Sequence, residues 1–246
     1  MSSLLNRRPV RLSGYRGGIV SFSFDDFPIS AATTGAAILE AAGCRGTYYL
    51  SCGLLDANSP SGRIVSSEDV QRLAMAGHEI GCHTYSHFRA EETGGRCYGA
   101  DITRNFRQLT ELLPSQLVRS FAFPYGSITP SAKAAAASYY VTCRTTRPCI
   151  NRTRIDANQL NAIALYETRD NIEAINKLIS DCSCHGGWLI IYTHDVDKNH
   201  SPYGCTPEQL RSKVHYALDS GCAVRTIGDV AITMLYPMAR PALVSE

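Results

Sequence analysis

Two neighbouring carboxylates, Asp25 and Asp26, are the residues of this chain whose types and position point most directly to chemistry. They follow the segment Ile19–Phe24, in which apolar and small polar residues alternate with the period-two spacing of a β-strand. Two like charges at a strand end repel each other, and a divalent metal ion is the commonest group that turns this repulsion into attraction. Alone, such a pair is also typical of a solvated loop or a helix cap, so it does not decide the function.

Histidines follow two other predicted strands. His83 and His87 come after the predicted strand Glu79–Cys82. His194 comes after the strongly apolar segment Trp188–Thr193. His83 and His87 are four residues apart, which lets both imidazoles face one point on a helical turn or in a tight loop. Neutral imidazole is a good zinc ligand, so this pair and one carboxylate predict a metal site with open positions. Such a site also suits iron(II) oxygenases, but the second carboxylate favours hydrolysis with a separate base.

These residues need a scaffold that brings several strand ends together. Strand-like and helix-like segments alternate along the chain, which predicts about eight strands with helices between many of them. The predicted elements include a helix over 101–113, a strand over 139–145 and a last strand over 223–227. The pattern predicts an α/β barrel in a single domain, in which reactive residues lie at the carboxyl ends of the strands.

Composition predicts two short segments that flank the barrel. Residues 1–17 form a basic arm with four arginines and no acid, residues 18–234 the barrel, and residues 235–246 a loop-like tail. The arm has no apolar run typical of a secretory signal, and no segment is long and apolar enough to predict a membrane span. We therefore expect a cytoplasmic protein in which the 10 cysteines are reduced thiols.

The charge and its distribution argue against a nucleic-acid partner. The formal net charge is only +2, and the arginines are scattered rather than interleaved with aromatic residues in a patch. A chain of 246 residues with 44% hydrophobic content is long and apolar enough for one large core. The sequence leaves the oligomeric state open.

Four motifs, in order, give the chain a resemblance to the polysaccharide deacetylase family, also known as the NodB homology domain or carbohydrate esterase family 4. Ser23–Asp26 resembles its Thr-Phe-Asp-Asp motif, and His83–His87 is similar to its His-Ser/Thr-x-x-His motif. Phe121–Gly126 resembles the third motif, and Leu189–His194 resembles the motif that supplies a catalytic histidine. The resemblance covers residues 18–229 and implies a distorted (β/α) barrel of about seven strands.

The resemblance also implies roles for the charged residues of the motifs. Asp25 would be the general base and His194 the general acid. Asp26, His83 and His87 would bind a divalent metal ion, with Zn²⁺ expected and Co²⁺, Fe²⁺ or Ni²⁺ as alternatives. The implied reaction is the metal-dependent removal of an N-acetyl or other N-acyl group from an amino sugar or glycan.

Substrate-binding residues follow from the same motifs. The backbone N–H of Tyr125, next to Pro124, would help to hold the oxyanion, and Leu189 or Ile191 would line the acetyl pocket. Phe27 stands where the family usually has a glycine. We expect its bulky side chain to line the cleft and to narrow or redirect it.

Two further departures from the family pattern leave the partners of the catalytic residues unassigned. Ala122 replaces the arginine that pairs with the base, and without this arginine the pKa of Asp25 should be higher. Arg147 or Arg169, from another loop, is the candidate substitute. The acid that would tune His194 has no convincing counterpart either. The candidates for this acid are Asp156 and Asp170. Asp195 and Asp197 are closer to His194 in sequence, but strand alternation argues that they point elsewhere.

The sequence supports three hypotheses for the function. The leading one is a metal-dependent deacetylase of an N-acylated sugar. The second is a related C–N hydrolase of a small, non-polymeric amide or formamido sugar, which Phe27 and the lack of a secretory signal favour. The third is a catalytically silent relative that binds a glycan or a protein. Ala122 motivates this third hypothesis, but the intact Asp25 and His194 argue against it.

Overall fold

The structure is a computed structural model that describes residues 5–12, 17–166 and 169–235. Its strands are β1 (Pro9–Arg11), β2 (Gly18–Phe24), β3 (Thr47–Leu50), β4 (Asn58–Ser59), β5 (Gly62–Arg63), β6 (Glu79–Cys82), β7 (Ser120–Ala122), β8 (Thr142–Arg144), β9 (Arg154–Asp156), β10 (Ile163–Ala164), β11 (Gly187–Thr193) and β12 (Ala223–Val224). Its helices are α1 (Ala36–Ala41), α2 (Ser67–Met75), α3 (Gly95–Leu112), α4 (Pro130–Ala137), α5 (Arg169–His185), α6 (Pro207–Asp219) and α7 (Ile227–Leu235). A π-helical turn at Ala31–Gly35 leads into α1, and 3-10 turns lie at Cys52–Leu54 and Pro124–Gly126.

A curled parallel sheet forms the centre of the molecule. Its strand order is β10-β11-β2-β3-β6-β7-β8, and β12 pairs with the first half of β2. The segment after β9 lies between the two edges: Leu160 forms a parallel bridge with Arg144, and the N–H of Ala162 donates to the carbonyl of Arg147. The predicted distorted (β/α) barrel of about seven strands in a single domain is confirmed.

An ion pair across the sheet demonstrates the curl. Arg144 ends β8 at one edge, and its guanidinium contacts the carboxylate of Asp25, which directly follows β2. Four strand spacings separate β2 from β8. In a flat sheet, spacings of about 4.8 Å would leave these strands roughly 19 Å apart. The curl therefore gathers the carboxyl ends of distant strands around one opening.

Alternate residues of the central strands pack on opposite faces of the sheet, as the period of two requires. Phe22 and Phe24 belong to the main core, which includes buried residues of the surrounding helices, and so do Leu189 and Ile191. A second cluster fills the inside of the barrel. It contains Ile19, Trp188, Ile190 and Tyr192 of the strands and Ile227, Val230 and Ala231 of α7.

This alternation contradicts the prediction that Leu189 or Ile191 lines an acetyl pocket. Both side chains are buried in the main core, on the helix-covered face of β11. Tyr192 points to the opposite face and lines the cavity described below. The prediction is wrong because the strand period places residue 192, rather than 189 or 191, on the same face as His194.

Element boundaries differ from the prediction in several places, of which three bear on the barrel. The helix predicted over 101–113 begins earlier, at Gly95, and the strand predicted over 139–145 is shortened to β8. The last predicted strand ends at Val224, and α7 begins at Ile227. A helix starts there because Glu79 Oε2 accepts a hydrogen bond from the N–H of Gly228 at 2.8 Å, which satisfies one free donor of its first turn.

Part of the predicted basic arm is a strand. β1 pairs antiparallel with β9, and the Arg8 guanidinium donates hydrogen bonds to three backbone carbonyls around the end of α4. Residues 1–4 and 13–16 of the arm, and 236–246 of the tail, lie outside the described residues. Within the described part of the chain, no helix combines the length and the apolar character that crossing a membrane requires.

Candidate active site

Residues that follow β2, β6, β7, β8 and β11 line a cavity of about 520 Å³ at the carboxyl end of the barrel. The position agrees with the general rule for barrels of this kind. The side chains predicted for catalysis and metal binding all reach this cavity. They are Asp25, Asp26, His83, His87 and His194.

Asp26, His83 and His87 form a compact group of side chains that could hold a metal ion. One ligand atom from each residue lies within 4.8 Å of the other two. Asp26 Oδ1 is 3.0 Å from His87 Nε2 and 3.7 Å from His83 Nε2. This oxygen is buried, yet neither contact is a well-formed hydrogen bond, and it has no hydrogen-bond partner among the described residues. Its lone pairs are therefore available to a bound cation.

The protonation states of these side chains suit a divalent cation. His83 Nδ1 is 2.8 Å from the carbonyl oxygen of Ala122, which can only accept, so Nδ1 carries the proton and Nε2 keeps its lone pair. Burial lowers the pKa of His83 to about 4, so the ring is neutral at neutral pH. Burial alone would raise the pKa of Asp26, but the neighbouring His87 lowers it below its ordinary value. Two imidazoles and one carboxylate fit a zinc-type ion with open coordination positions.

Asp101, on α3, holds the loop that carries the two histidines. Its Oδ2 accepts hydrogen bonds from the N–H groups of Tyr85 and Ser86, both at 2.9 Å. Thr84 Oγ1 accepts from the N–H of His87 at 3.1 Å. Thr84 and His87 both have positive φ, 62° and 56°, a conformation that is uncommon without glycine. The hydrogen bonds stabilise this strained loop. No motif in the sequence indicates this role for Asp101.

Asp25 forms a buried ion pair with Arg144. The Arg144 guanidinium lies between two tyrosine rings, 5.0 Å from the centroid of Tyr49 and 4.8 Å from that of Tyr192. Burial alone would raise the pKa of Asp25, but Arg144 and then His83 outweigh it, and the net effect is a lowered pKa. Asp25 is therefore ionised at neutral pH, which contradicts the expectation that its pKa would be higher.

Arg144 supplies the arginine that the third motif lacks. In the register of β7 and β8, Arg144 is the cross-strand partner of Ala122, so the guanidinium comes from the neighbouring strand at the same level. The two predicted substitutes do not take this place. Arg147 lines a different cavity, and the side chain of Arg169 lies outside the described residues. The available signal in the sequence was an arginine near the end of a strand otherwise made of small and apolar residues.

His194 lies at the same level as Asp25. The parallel register of β2 and β11 pairs Phe24 with Thr193, and the next residue on each strand is the catalytic candidate. His194 Nδ1 donates a hydrogen bond to the carbonyl of Tyr203 at 3.1 Å. This contact fixes the ring and leaves Nε2 for proton transfer.

A backbone carbonyl, rather than an acid, is thus the partner of His194 in the described part of the chain. Asp156 pairs with a lysine of α4, away from the cavity. Asp195 and Asp197 accept hydrogen bonds from N–H groups of their own loop. The side chain of Asp170 lies outside the described residues.

Phe27 does not line the cavity. It is fully buried in the main core, and its ring centroid is 4.7 Å from that of Tyr48. The chain makes a left-handed turn after β2, with φ of 61° at Asp26 and 64° at Phe27. Because this turn directs the ring of Phe27 into the core, the prediction that it narrows or redirects the cleft is wrong.

Tyr125 forms part of the cavity wall and is 53% exposed. Its ring centroid is 4.6 Å from that of His87 and 3.9 Å from Arg89 Cζ. Pro124 is buried and begins the 3-10 turn that presents Tyr125, whose φ is 59°. Other aromatic residues of the wall are Tyr166, Tyr192 and Tyr203.

The hairpin of β4 and β5 covers the other side of the cavity. Ser61, between these strands, donates a hydrogen bond from Oγ to Asp26 Oδ2 at 3.2 Å. Asn58, Ser59 and Pro60 of the same hairpin also line the cavity. The strands are two residues long, and the sequence analysis did not predict them.

Comparison with known proteins connects this geometry to a family. The sequence profile of the family described as polysaccharide deacetylase matches residues 14–143, more than half of the chain. A search of the curated proteins gives no match.

Solved structures share the fold at low sequence identity. A protein from Mycobacterium smegmatis assigned to the polysaccharide deacetylases is 15% identical, with a TM-score of 0.67 over 98% of this chain and 99% of that chain. A family 4 carbohydrate esterase from Streptomyces lividans, in complex with acetate, is 19% identical, with a TM-score of 0.57 over 84% and 91%. A mutant of a CE4 family pseudoenzyme, with restored enzymatic activity, is 13% identical, with a TM-score of 0.63 over 88% and 68%.

Proposed function

The chain belongs to the polysaccharide deacetylase family, and on that premise we propose that it is a metal-dependent hydrolase that removes an N-acetyl or other N-acyl group from an amino sugar or glycan. The observation that carries the proposal is the meeting of Asp26, His83 and His87 beside the buried pair of Asp25 and Arg144. Asp26 Oδ1 is buried at the mouth of the barrel without a hydrogen-bond partner among the described residues. A purely structural carboxylate would be hydrogen-bonded there, so this oxygen supports a ligand-binding role.

Zn²⁺ is the ion that the ligand set of Asp26, His83 and His87 suits best, with Co²⁺, Fe²⁺ or Ni²⁺ as alternatives. A bound divalent ion would polarise the acyl carbonyl and lower the pKa of a water molecule. The neutral ring of His83 and the ionised Asp26 present lone pairs for it without prior loss of a proton.

Asp25 acts as the general base in this proposal. Arg144 holds its Oδ1, so Oδ2 is the oxygen that takes the proton from the attacking water. Because Asp25 is already ionised at neutral pH, it is ready to accept this proton. Arg144 also keeps the carboxylate from turning toward Asp26, which separates the base from the ligand.

His194 acts as the general acid. Its Nδ1–H is held by the carbonyl of Tyr203, so the proton that reaches the leaving amine comes from Nε2. The amine needs this proton because an unprotonated amide nitrogen is a poor leaving group. The backbone N–H of Tyr125 would stabilise the oxyanion of the tetrahedral intermediate.

The tyrosines of the wall support a carbohydrate substrate. Tyr125 and Tyr203 are about half exposed in the cavity, at 53% and 49%. Their rings offer an apolar face, and their hydroxyls a polar tip, which suits the mixed surface of a sugar. The burial of Phe27 removes one ground for a small-molecule substrate. Ala122 motivated the hypothesis of a catalytically silent relative, and Arg144 weakens this hypothesis because it supplies the missing arginine from the neighbouring strand.

A cytoplasmic location stays a prediction. None of the 10 cysteines forms a disulfide, which supports a reducing compartment. No disulfide therefore contributes to the stability of the barrel, which rests on its two hydrophobic clusters.

Acetate release from N-acetylglucosamine oligomers, with Zn²⁺ or Co²⁺ added, tests the proposed function. His83→Ala should abolish release, because it removes one ligand and empties the contact with Ala122. His215→Ala, at an exposed position on α6, is the matched control and should keep wild-type activity. Equal release by wild type and His83→Ala would refute the assignment.

A further inference from the structure

A second cavity, of about 330 Å³, lies on the side of the barrel near β9 and shares no lining residue with the catalytic cavity. Four arginines line it, one from the segment before β1 and three from residues 147–154. They are Arg7, Arg147, Arg152 and Arg154. So many guanidinium groups around one small cavity need a physical explanation, since like charges repel.

Three of these arginines lack a counter-charge among the described residues. Arg152 is paired, with its Nη2 2.8 Å from Asp181 Oδ2 and its Nε bonded to the carbonyl of Gly186. By contrast, Arg7, Arg147 and Arg154 make no ion pair with any carboxylate in the part of the chain that the structure describes. The cavity therefore has uncompensated positive charge.

The one acid of the cavity wall does not neutralise it. Asp156 Oδ2 accepts from Lys133 Nζ at 2.6 Å, and its Oδ1 accepts from the N–H groups of Arg8 and Asn158 at 2.9 Å and 3.1 Å. With both carboxylate oxygens already bonded and a lysine beside it, Asp156 is balanced locally. It therefore does not offset the charge of Arg7, Arg147 and Arg154.

The fold holds the cavity wall in place. The antiparallel register of β1 and β9 pairs Arg11 with Arg154, so it fixes the segment that bears Arg7 beside β9. Asn151 is buried, and its side chain donates to the carbonyls of Asn161 and Trp188 at 3.0 Å and 3.1 Å. The backbone around the cavity is thus anchored before a ligand binds, so binding carries no entropy cost for ordering that backbone.

We propose that this arginine cavity binds a doubly charged oxyanion, a phosphate or sulfate group. The planar guanidinium offers two parallel N–H donors that match the oxygens of such a group, and three unpaired arginines supply the opposite charge. The volume of about 330 Å³ is at the lower end of small-molecule sites, so it suits a free anion or one phosphorylated sugar unit. The proposal does not rest on the deacetylase activity.

Calorimetric titration of the full chain tests the proposal. Inorganic phosphate and glucosamine 6-phosphate are the two probes, both at constant ionic strength. Wild type should bind one equivalent of at least one probe. Arg147→Gln and Arg154→Gln should weaken binding by about tenfold or more, the lower range for loss of a charge-assisted contact. Tighter binding of the sugar phosphate identifies a phosphorylated sugar as the source, and equal or tighter binding of inorganic phosphate identifies the free anion.

Two further variants separate a built site from a simple effect of net charge. Arg211→Gln removes one positive charge at an exposed position on α6 and should bind like wild type. Arg154→Lys keeps the charge but loses the planar fork, so it should weaken binding as well. Circular dichroism and melting temperature verify that each variant is folded. Absence of saturable binding of both probes, or equal weakening in Arg211→Gln and Arg154→Gln, would overturn the proposal.

Discussion

Arg144 is the residue on which the account of the general base depends. It is fully buried between two tyrosine rings and holds the carboxylate of Asp25. An arginine at residue 144 can replace one at 122 because the two positions are partners across β7 and β8. An arginine on either β7 or β8 can therefore reach the carboxylate of Asp25.

Replacement of Arg144 by alanine should impair both activity and stability. The buried Asp25 would lose its cation, which costs about 3–5 kcal/mol of unfolding free energy, and its pKa would rise. A base must be deprotonated to act, so the acidic limb of the rate profile should move to higher pH. At neutral pH the rate of acetate release should fall by about 100-fold or more. Arg144→Lys keeps the charge, so its rate of acetate release should lie between those of wild type and Arg144→Ala. An unchanged pH profile in Arg144→Ala would contradict the role of this pair.

Phe27 shows how a strained residue can be retained for packing. Its φ of 64° is unfavourable for a side chain with a Cβ, by about 1–2 kcal/mol, but its ring is fully buried against Tyr48. The gain from burying an aromatic ring exceeds this cost.

Substitutions of Phe27 should therefore follow an unusual order of stability. Phe27→Ala should lose about 3–5 kcal/mol of unfolding free energy because it leaves a cavity. Phe27→Gly should be more stable than Phe27→Ala by about 1 kcal/mol, because glycine relieves the strain at positive φ. Urea unfolding measures both values. Equal stabilities, or an alanine variant that is the more stable, would show that this turn is not strained.

The side chains that meet at the candidate site could be predicted because each lies within a short motif. Asp26 follows Asp25, and His83 and His87 are separated by one turn, so local spacing carries the information. Arg144 could not be predicted, because its contact with Asp25 depends on the curl that joins β8 to β2. Spacing along the chain contains no measure of that curl.

At the scale of elements, the loop after β6 depends on α3. Asp101 bonds to the N–H groups of Tyr85 and Ser86, and Thr84 bonds to that of His87, so the helix and the loop fix the distance between the two histidines. These hydrogen bonds help to hold the positive φ angles of the loop.

Asp101→Asn should therefore weaken metal binding without removing a ligand. An asparagine has one carbonyl oxygen in place of two carboxylate oxygens, so the loop would lose part of its support. We expect the affinity for Zn²⁺ to fall by about 10- to 100-fold, the usual cost of losing the support of a metal ligand. Calorimetric titration with Zn²⁺ measures it, with Asp219→Asn, at an exposed position of α6, as control. Identical affinity in the two variants would exclude this role for Asp101.

The alternation of side chains along β11 explains why one prediction for this strand is wrong. The motif around His194 was located correctly in the sequence, and β11 does carry it to the cavity. Leu189 and Ile191 were nevertheless placed on the wrong face, since a strand buried on both sides is apolar at every position. Only the paired register with β2 tells which alternate set points inward.

At the scale of the whole molecule, Glu79 joins parts of the barrel far from the catalytic cavity. At the amino end of β6, its carboxylate accepts hydrogen bonds from Thr47 and Ser120, both at 2.7 Å, and from the N–H of Gly228 on α7 at 2.8 Å. Burial raises the pKa of Glu79 above its ordinary value of 4.5, although these hydrogen bonds act in the opposite direction.

This raised pKa predicts the direction of a pH effect on stability. The folded state binds the proton of Glu79 more tightly than the unfolded state, so its contribution is full below about pH 4.5 and is lost as pH rises through the folded pKa. As pH rises over this range, the unfolding free energy of wild type should therefore fall relative to that of Glu79→Gln. Urea unfolding from pH 4 to pH 7 measures it, and a difference that does not vary with pH would contradict the prediction.

The architecture of the whole molecule was predictable because strand-like and helix-like patterns alternate over nearly the whole chain. The parts that were not predicted are short or depend on partners distant in sequence. β1 has three residues and pairs with β9, more than 140 residues later, so neither strand has a pattern of its own. The predicted last strand extends to Ile227, where α7 begins, because the local pattern does not mark the change. The helix start depends on partners distant in sequence: Thr47 Oγ1 accepts a hydrogen bond from the N–H of Ile227, and Glu79 Oε2 accepts one from the N–H of Gly228.

The most direct test of the central claim is a titration of metal-stripped protein with Zn²⁺ while acetate release from N-acetylglucosamine oligomers is measured. We expect no release without metal, and full activity at one equivalent of Zn²⁺ per chain. We also expect that a variant with both His83→Ala and His87→Ala neither binds this equivalent nor recovers activity. Full acetate release by the stripped protein, or zinc binding of unchanged affinity in the double variant, would contradict the claim that Asp26, His83 and His87 form the metal site of a deacetylase.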